Sequence, residues 1–111
     1  MSYNKPVKRY DVYWVNLDPT RGKEIKKTRP CVIASPDVMN NALGTLLVAP
    51  ITSTIIDWPF RITLTFKNKK SSIACDQLRS ITKERLGRKI ATLSAIDRRK
   101  LTDVLQEIFA E

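Results

Sequence analysis

The chain contains no histidine. That absence removes imidazole acid–base catalysis, imidazole metal ligation and every nucleophile activated by a histidine partner. Cysteine is almost as scarce. Cys31 and Cys75 stand alone, each in apolar surroundings (Pro30-Cys31-Val32-Ile33 and Ile73-Ala74-Cys75). Two thiols without histidine do not make an ordinary zinc site. They read as buried small hydrophobes, with a disulfide as the alternative. No metal and no cofactor is expected. No apolar run approaches the roughly 20 residues of a membrane span. The opening MSYNKPVKRY has no apolar stretch of the secretory kind. The expectation is a cytoplasmic protein with no membrane partner. Acidic residues are also in short supply, with 11 Asp and Glu against 20 Lys and Arg, and the net charge is +9. A charge of that size on 111 residues favours a polyanionic partner. Hydrophobic residues, at 42%, suffice for one globular domain over residues 1–111.

No repeat or linker interrupts the chain. Residues 1–10 read as a basic, poorly ordered tail. Asp11 to Leu17 is rich in strand formers and stops at Asp18-Pro19. Residues 20–28 (TRGKEIKKT) form a polar, cationic loop, and Pro30 to Ala34 is a short apolar run typical of a strand buried on both sides. Ser35-Pro36-Asp37 can cap a helical turn through Ala42, with Gly44 ending it. Thr45 to Ile51 is a second buried strand, and Pro50 assigns that position to an edge or bulge. Residues 52–59 read as a loop. Phe60 to Phe66 alternates, with Phe60, Ile62, Leu64 and Phe66 inward and Arg61, Thr63 and Thr65 toward solvent. A turn at 67–70 closes a hairpin, and 72–79 and 88–93 read as further strands. Ser94 is an N-cap candidate, and Leu101, Val104, Leu105 and Ile108 recur at helical spacing, so 95–110 is an amphipathic helix. The sum is a mainly β, antiparallel, barrel-like sheet with a C-terminal helix.

The cations are concentrated. Residues 1–35 carry +5 and residues 67–89 carry +6, while the two remaining segments are each slightly acidic. Brought together, those loops make a basic groove; kept apart, they are solvated faces. Trp58, in a loop before Pro59, is a stacking candidate for a single strand, with burial under the loop as the alternative. RNA brings its own nucleophile, the 2′-hydroxyl, so an enzyme without histidine needs to align it, accept a proton and stabilise charge on the phosphate. Arg is suited to the last task by its planar fork. The candidate groups are Glu24, Lys26, Lys27, Thr28 and Arg29 in or beside the cationic loop, Thr52 and Ser53 at a strand end, and Asp76, Gln77 and Arg79 interrupting another strand. Taken singly, each has a plain structural role: Glu24 as a loop acid, Thr52 as a turn residue, Asp76 with Arg79 as a surface ion pair.

Taken in order, the segments DVYWVNLDPT (11–20), TRPCVI (28–33), VAPITS (48–53), Trp58-Pro59-Phe60 and Asp76-Gln77 with Arg79 resemble the MazF/PemK/Kid toxins of bacterial toxin–antitoxin pairs. The resemblance spans nearly all of residues 10–110. It implies an SH3-like antiparallel barrel of the CcdB/PemK type, a homodimer and a sequence-selective endoribonuclease acting on single-stranded mRNA. It also implies metal-independent cleavage by the 2′-hydroxyl, leaving 2′,3′-cyclic phosphate and 5′-hydroxyl ends, and a cognate antitoxin that is acidic where it meets the basic groove. The family's essential Arg and Thr fall on Arg29 and Thr52, the loop acid on Glu24, and the substrate-contacting Asp-Gln pair on Asp76 and Gln77. Lys26, Lys27, Thr28, Ser53, Trp58 and Arg79 complete the RNA-contacting set. One position departs: where the Kid-like branch has a catalytic Arg two residues before that Asp, this chain has Ala74. The proton acceptor therefore stays open between Glu24, Asp76 and water. The competing readings are a gyrase-poisoning toxin resembling CcdB and a non-catalytic single-stranded RNA-binding module.

Overall fold

Strand β3 (Thr45–Thr52) organises the molecule, because it is buried for most of its length and pairs on both sides. The computed structural model describes residues 6–110; the first five residues of the sequence-predicted tail lie outside the described part. The remaining elements are β1 (Asp11–Asn16), β2 (Thr28–Ile33), the short helix α1 (Asp37–Ala42), β4 (Arg61–Phe66), β5 (Lys69–Ala74), β6 (Arg79–Thr82), β7 (Leu86–Thr92) and the helix α2 (Ala95–Phe109). Single 3-10 turns precede β6 (Cys75–Gln77) and β7 (Lys83–Arg85). All strand pairs are antiparallel, in the order β4-β5-β3-β2-β1-β7, with β6 also on β3. The result is the expected curled, mainly β half-barrel with a C-terminal helix.

Alternation along the strands separates two apolar clusters. Val32, Ala49 and Ile51 join Val12, Ile62, Ile73, Leu93 and Leu101 on one face, where α2 adds Val104, Leu105 and Ile108. Cys31, Ile33 and Val48 join Val15, Leu17, Leu46 and Ile81 on the other. Residues 31–33 are thus buried on both sides, as their unbroken apolar run predicts. The β4–β5 hairpin turns on Lys67 and Asn68, with φ of 52° and 63°, the left-handed pair that matches strand twist in a two-residue turn. In α2 the Ser94 hydroxyl accepts the Asp97 N–H at 3.2 Å, so the predicted cap is present.

Several expectations are corrected. Pro50 is on neither an edge nor a bulge of the predicted kind. It sits where the partner of β3 changes from β6, which ends opposite Val48, to β5, which begins opposite Ile51. Residues 6–10 do not hang free: the Tyr10 N–H donates to the Ile33 carbonyl at 2.8 Å, and its hydroxyl meets Thr102 Oγ1 at 2.8 Å. Helix α1 starts after Pro36 without a side-chain cap, because Ser35 Oγ is occupied with Asn40 Oδ1 and the Leu47 N–H; Leu43, not Gly44, ends it. Segment 72–79 is not one strand, since the 3-10 turn at Cys75–Gln77 breaks it.

Candidate active site

Arg29 is the second residue of β2, across from Val15 of β1. The β2–β3 ladder pairs Ile33 with Val48, Val32 with Ala49 and Cys31 with Pro50. The ladder ends at that last pair; continued two residues outward, its register would set Arg29 opposite Thr52. The two-residue period puts both on the face of Cys31 and Pro50. They therefore share one end and one face of the sheet, where its apolar filling gives way to polar side chains. Arg29 is half-buried, and its Nε donates to the Lys26 carbonyl at 3.2 Å. Its two terminal nitrogens make no hydrogen bond among the described residues, so one edge of the fork is braced and the other is open. Thr52 is 9% exposed, and its Oγ1 accepts the Thr54 N–H at 3.2 Å, which leaves its proton to donate.

The cationic loop is tied down at several points. The Leu17 N–H donates to the Lys27 carbonyl at 3.0 Å, and the Lys27 N–H donates to Asp18 Oδ1 at 3.0 Å. Gly22 takes a φ of 60° and Lys27 one of 71°, turns that let the loop fold back on itself. Glu24 is exposed, and its Oε1 accepts the Arg21 N–H at 2.6 Å. Gln77 holds the loop from across the sheet: its Oε1 accepts the Ile25 N–H at 3.1 Å and its Nε2 points to the Lys23 carbonyl at 3.5 Å. Glu24, Pro50, Asp76, Gln77 and Arg79 line one cleft of about 220 Å³.

The predicted residues thus fall into four groups, the first being Arg29 and Thr52, which stand at the sheet end and do not line that cleft. Glu24, Asp76, Gln77 and Arg79 meet in the cleft, and Pro50 joins them two residues before Thr52. Lys26, Lys27 and Thr28 are exposed on the loop and strand leading to Arg29. Ser53 and Trp58 are exposed but do not line the cleft. Trp58 is 49% exposed and packs edge-to-face on Phe60, with ring centroids 5.8 Å apart. Arg79 is a brace as well as a wall, since its Nη1 donates to the Leu17 carbonyl at 2.9 Å. Arg85 braces the same stretch through the carbonyls of Asn16 and Asp18. Larger concavities lie elsewhere, one of about 1060 Å³ between Pro6, Tyr13 and Leu86.

The ion pair that the sequence suggested between Asp76 and Arg79 is made instead by Arg61, whose Nε and Nη2 reach Asp76 Oδ1 and Oδ2 at 2.5 and 3.0 Å. Arg61 was expected on the solvent face, yet its side chain is only 8% exposed. The missed signal was in the hairpin: a two-residue turn at 67–68 fixes Arg61 opposite Ala74, two residues before Asp76.

Cys31 and Cys75 are buried free thiols. Each is pushed up to about 12, chiefly by burial; the Asp76 carboxylate adds to the rise of Cys75, and Arg61 and Arg79 offset part of it for Cys75 and Cys31 respectively. Both stay protonated at neutral pH and are not nucleophiles. Among the described residues no group of three or more Cys, Asp and Glu side chains is placed to hold a metal ion, and no helix is long and apolar enough to cross a membrane.

Comparison with known proteins places the sequence and fold in one family. Residues 8–109 fit the family model described as the PemK-like, MazF-like toxin of type II toxin–antitoxin systems. The chain is 34% identical over 110 residues to the endoribonuclease MazF9 of Mycobacterium tuberculosis, covering 90% of this chain and 93% of that one. Its fold resembles a MazF crystal structure from Deinococcus radiodurans, with a TM-score of 0.85, 23% identity, and coverage of 97% of this chain and 100% of that one. It also resembles a MazE–MazF crystal structure from the same organism, with a TM-score of 0.77, 20% identity, and coverage of 97% and 100%. With the family model spanning nearly the whole chain, this protein belongs to the PemK-like, MazF-like toxins of type II toxin–antitoxin systems.

Proposed function

We propose that this toxin is a sequence-selective endoribonuclease that cuts single-stranded mRNA without a metal, using Arg29, Thr52 and Glu24. What supports the reading is the β2–β3 register: continued two residues past its last pair, Cys31 with Pro50, it brings Arg29 and Thr52 to one face at the polar end of the sheet. A phosphodiester seated there meets the open edge of the Arg29 fork and the Thr52 hydroxyl. The substrate 2′-oxygen attacks the adjacent phosphorus and gives up its proton, and the bond from phosphorus to the 5′-oxygen breaks. The 5′-oxygen takes a proton from solvent, and the ends are a 2′,3′-cyclic phosphate and a 5′-hydroxyl. Arg29 stabilises the added negative charge on the phosphorane, and Thr52 donates to a phosphate oxygen.

The proton acceptor is Glu24 or a water beside it, because both oxygens of Asp76 already face Arg61. Lys26, Lys27 and Thr28 hold the backbone of the strand on the entry side. Ser53 and Trp58 on one loop, with Asp76, Gln77 and Arg79 at the cleft, meet the unstacked bases. Residues 1–111 act as one toxin domain in the cytoplasm, as a homodimer, neutralised by a cognate antitoxin whose acidic segment covers the cationic loop. The relatives named as endoribonucleases and the neighbouring complex with MazE support this reading.

The test is an oligoribonucleotide carrying one 2′-deoxy at the scissile position, once that position is mapped. Cleavage should vanish while binding stays nearly intact, and cutting of the substituted strand would refute attack by the substrate's own hydroxyl. Binding of the unmodified strand without cutting would reduce the protein to a passive RNA binder.

A further inference from the structure

The Arg61–Asp76 pair is a strong charge pair at the cleft for which the cleavage chemistry above has no use. It is bidentate, and Arg61 is almost fully covered. The pair is half-buried, with the Asp76 side chain 22% exposed, so removing Asp76 leaves a largely covered guanidinium without its partner. It is also connected. Asp76 sits in the middle of the 3-10 turn Cys75–Gln77, and that turn is tied to the start of β4 by the Cys75 N–H donating to the Phe60 carbonyl at 3.1 Å. The next side chain is Gln77, whose amide holds the backbone of Lys23 and Ile25, the two neighbours of Glu24. A continuous set of contacts therefore runs from Arg61 through Asp76 and the turn to Gln77 and the loop that carries the acid.

We propose that Arg61 is a positioning residue: by clamping Asp76 it fixes the turn at Cys75–Gln77, so that the Gln77 amide holds the 20–28 loop with Glu24 facing the cleft. Its effect on cutting rests on the ribonuclease reading; its effect on the loop does not. Arg61 touches no reacting atom. The clamp fixes the angle of a two-pronged amide that must reach backbone groups more than 50 residues away in sequence. The bidentate geometry matters because two parallel contacts fix the orientation of the Asp76 carboxylate on the turn, which a single one does not.

The test uses the full chain and four variants, Arg61→Met, Asp76→Asn, the two combined, and Gln77→Leu. Two quantities are read: kcat and KM on a mapped oligoribonucleotide, and amide hydrogen exchange at the Ile25 N–H by NMR. Arg61→Met should lower kcat by about tenfold or more, since small misplacements of a catalytic group are costly. KM should move less. Ile25 exchange should quicken by about tenfold as the loop is released. Because Arg61 and Asp76 act as one device, the combined variant should be no worse than the worse single one. Unchanged Ile25 exchange in a folded Arg61→Met protein, unchanged kcat in an active one, or losses that multiply, would overturn the proposal. If Arg61→Met does not fold, Gln77→Leu removes the last link without touching the Arg61–Asp76 pair: faster Ile25 exchange supports the proposal and unchanged exchange overturns it. If the parent protein leaves RNA uncut, the ribonuclease reading falls, and exchange alone decides the positioning role.

Discussion

At the residue scale the cleavage reading depends on a guanidinium with one braced and one open edge. Arg29 donates its Nε–H to the Lys26 carbonyl, and its terminal nitrogens make no hydrogen bond among the described residues. In Arg29→Ala the fold loses one half-exposed hydrogen bond, whereas the phosphorane loses a charge-assisted pair of donors that matter most as charge develops. The variant should therefore melt close to the parent but cleave with a kcat lower by about 100-fold or more, the usual cost of about 3 kcal/mol for one transition-state donor. Arg29→Lys should recover little of that loss, because a point charge on a flexible stem does not reproduce a planar fork. Single-turnover cleavage of one mapped RNA measures both, and a loss of less than tenfold for Arg29→Ala would remove the residue from the essential set. Thr52 presents the opposite case. It is only 9% exposed, and its hydroxyl oxygen is already held by the Thr54 N–H.

At the scale of elements, local rules and long-range contacts separate cleanly. The cap of α2 is local: Ser94 closes the first turn onto Asp97. Ser94→Ala should cost about 1 kcal/mol, which for a chain of this size lowers Tm by about 4 °C. Ser94→Gly should lose only a few tenths of that energy, about a third of the Ala effect or less. Scanning calorimetry of the two variants checks the ordering, and an equal drop for both would mean that the hydroxyl is not the source of the stability. Such local signals made much of the fold legible. The i, i+3, i+4, i+7 spacing marked α2 to within a residue, and alternation marked β4. The break at Cys75–Gln77 was not legible, because Ile73-Ala74-Cys75 is apolar and no Gly or Pro announces a turn. Pro50 was misplaced because a strand that changes partner midway looks, in one dimension, like an edge. At the candidate site, the strand-end residues Arg29, Thr52 and Asp76 could be picked out by type and place. The grip of Gln77 on the loop and of Arg61 on Asp76 joins distant segments, and only the folded register brings those together.

At the scale of the whole molecule the question is which of the 20 cations act on RNA. The +9 charge attracts any polyanion from a distance, but salt screens such attraction beyond about 10 Å at 0.1 M. Only cations close to the bound strand should displace counterions. Lys26 and Lys27 lie on the loop that leads to Arg29. Lys69 and Lys70 lie at the other end of the β4–β5 hairpin: Lys69 is five residues from Ala74, about 17 Å along the strand. The hairpin tip borders a different concavity, with Lys67 beside Ser94 and Asp97. For a single strand, each neutralised phosphate adds about 0.7 to the slope of log affinity against log salt. Replacing Lys26 and Lys27 together by Ala should therefore flatten that slope by about 1.4. The pair Lys69→Ala and Lys70→Ala removes the same formal charge and should leave the slope near the parent value. The measurement is RNA binding by an uncleavable 2′-deoxy strand across a salt series. Equal flattening by the two double variants would show that net charge rather than placement governs binding, and the strand would then have to run past the hairpin tip as well as the cleft.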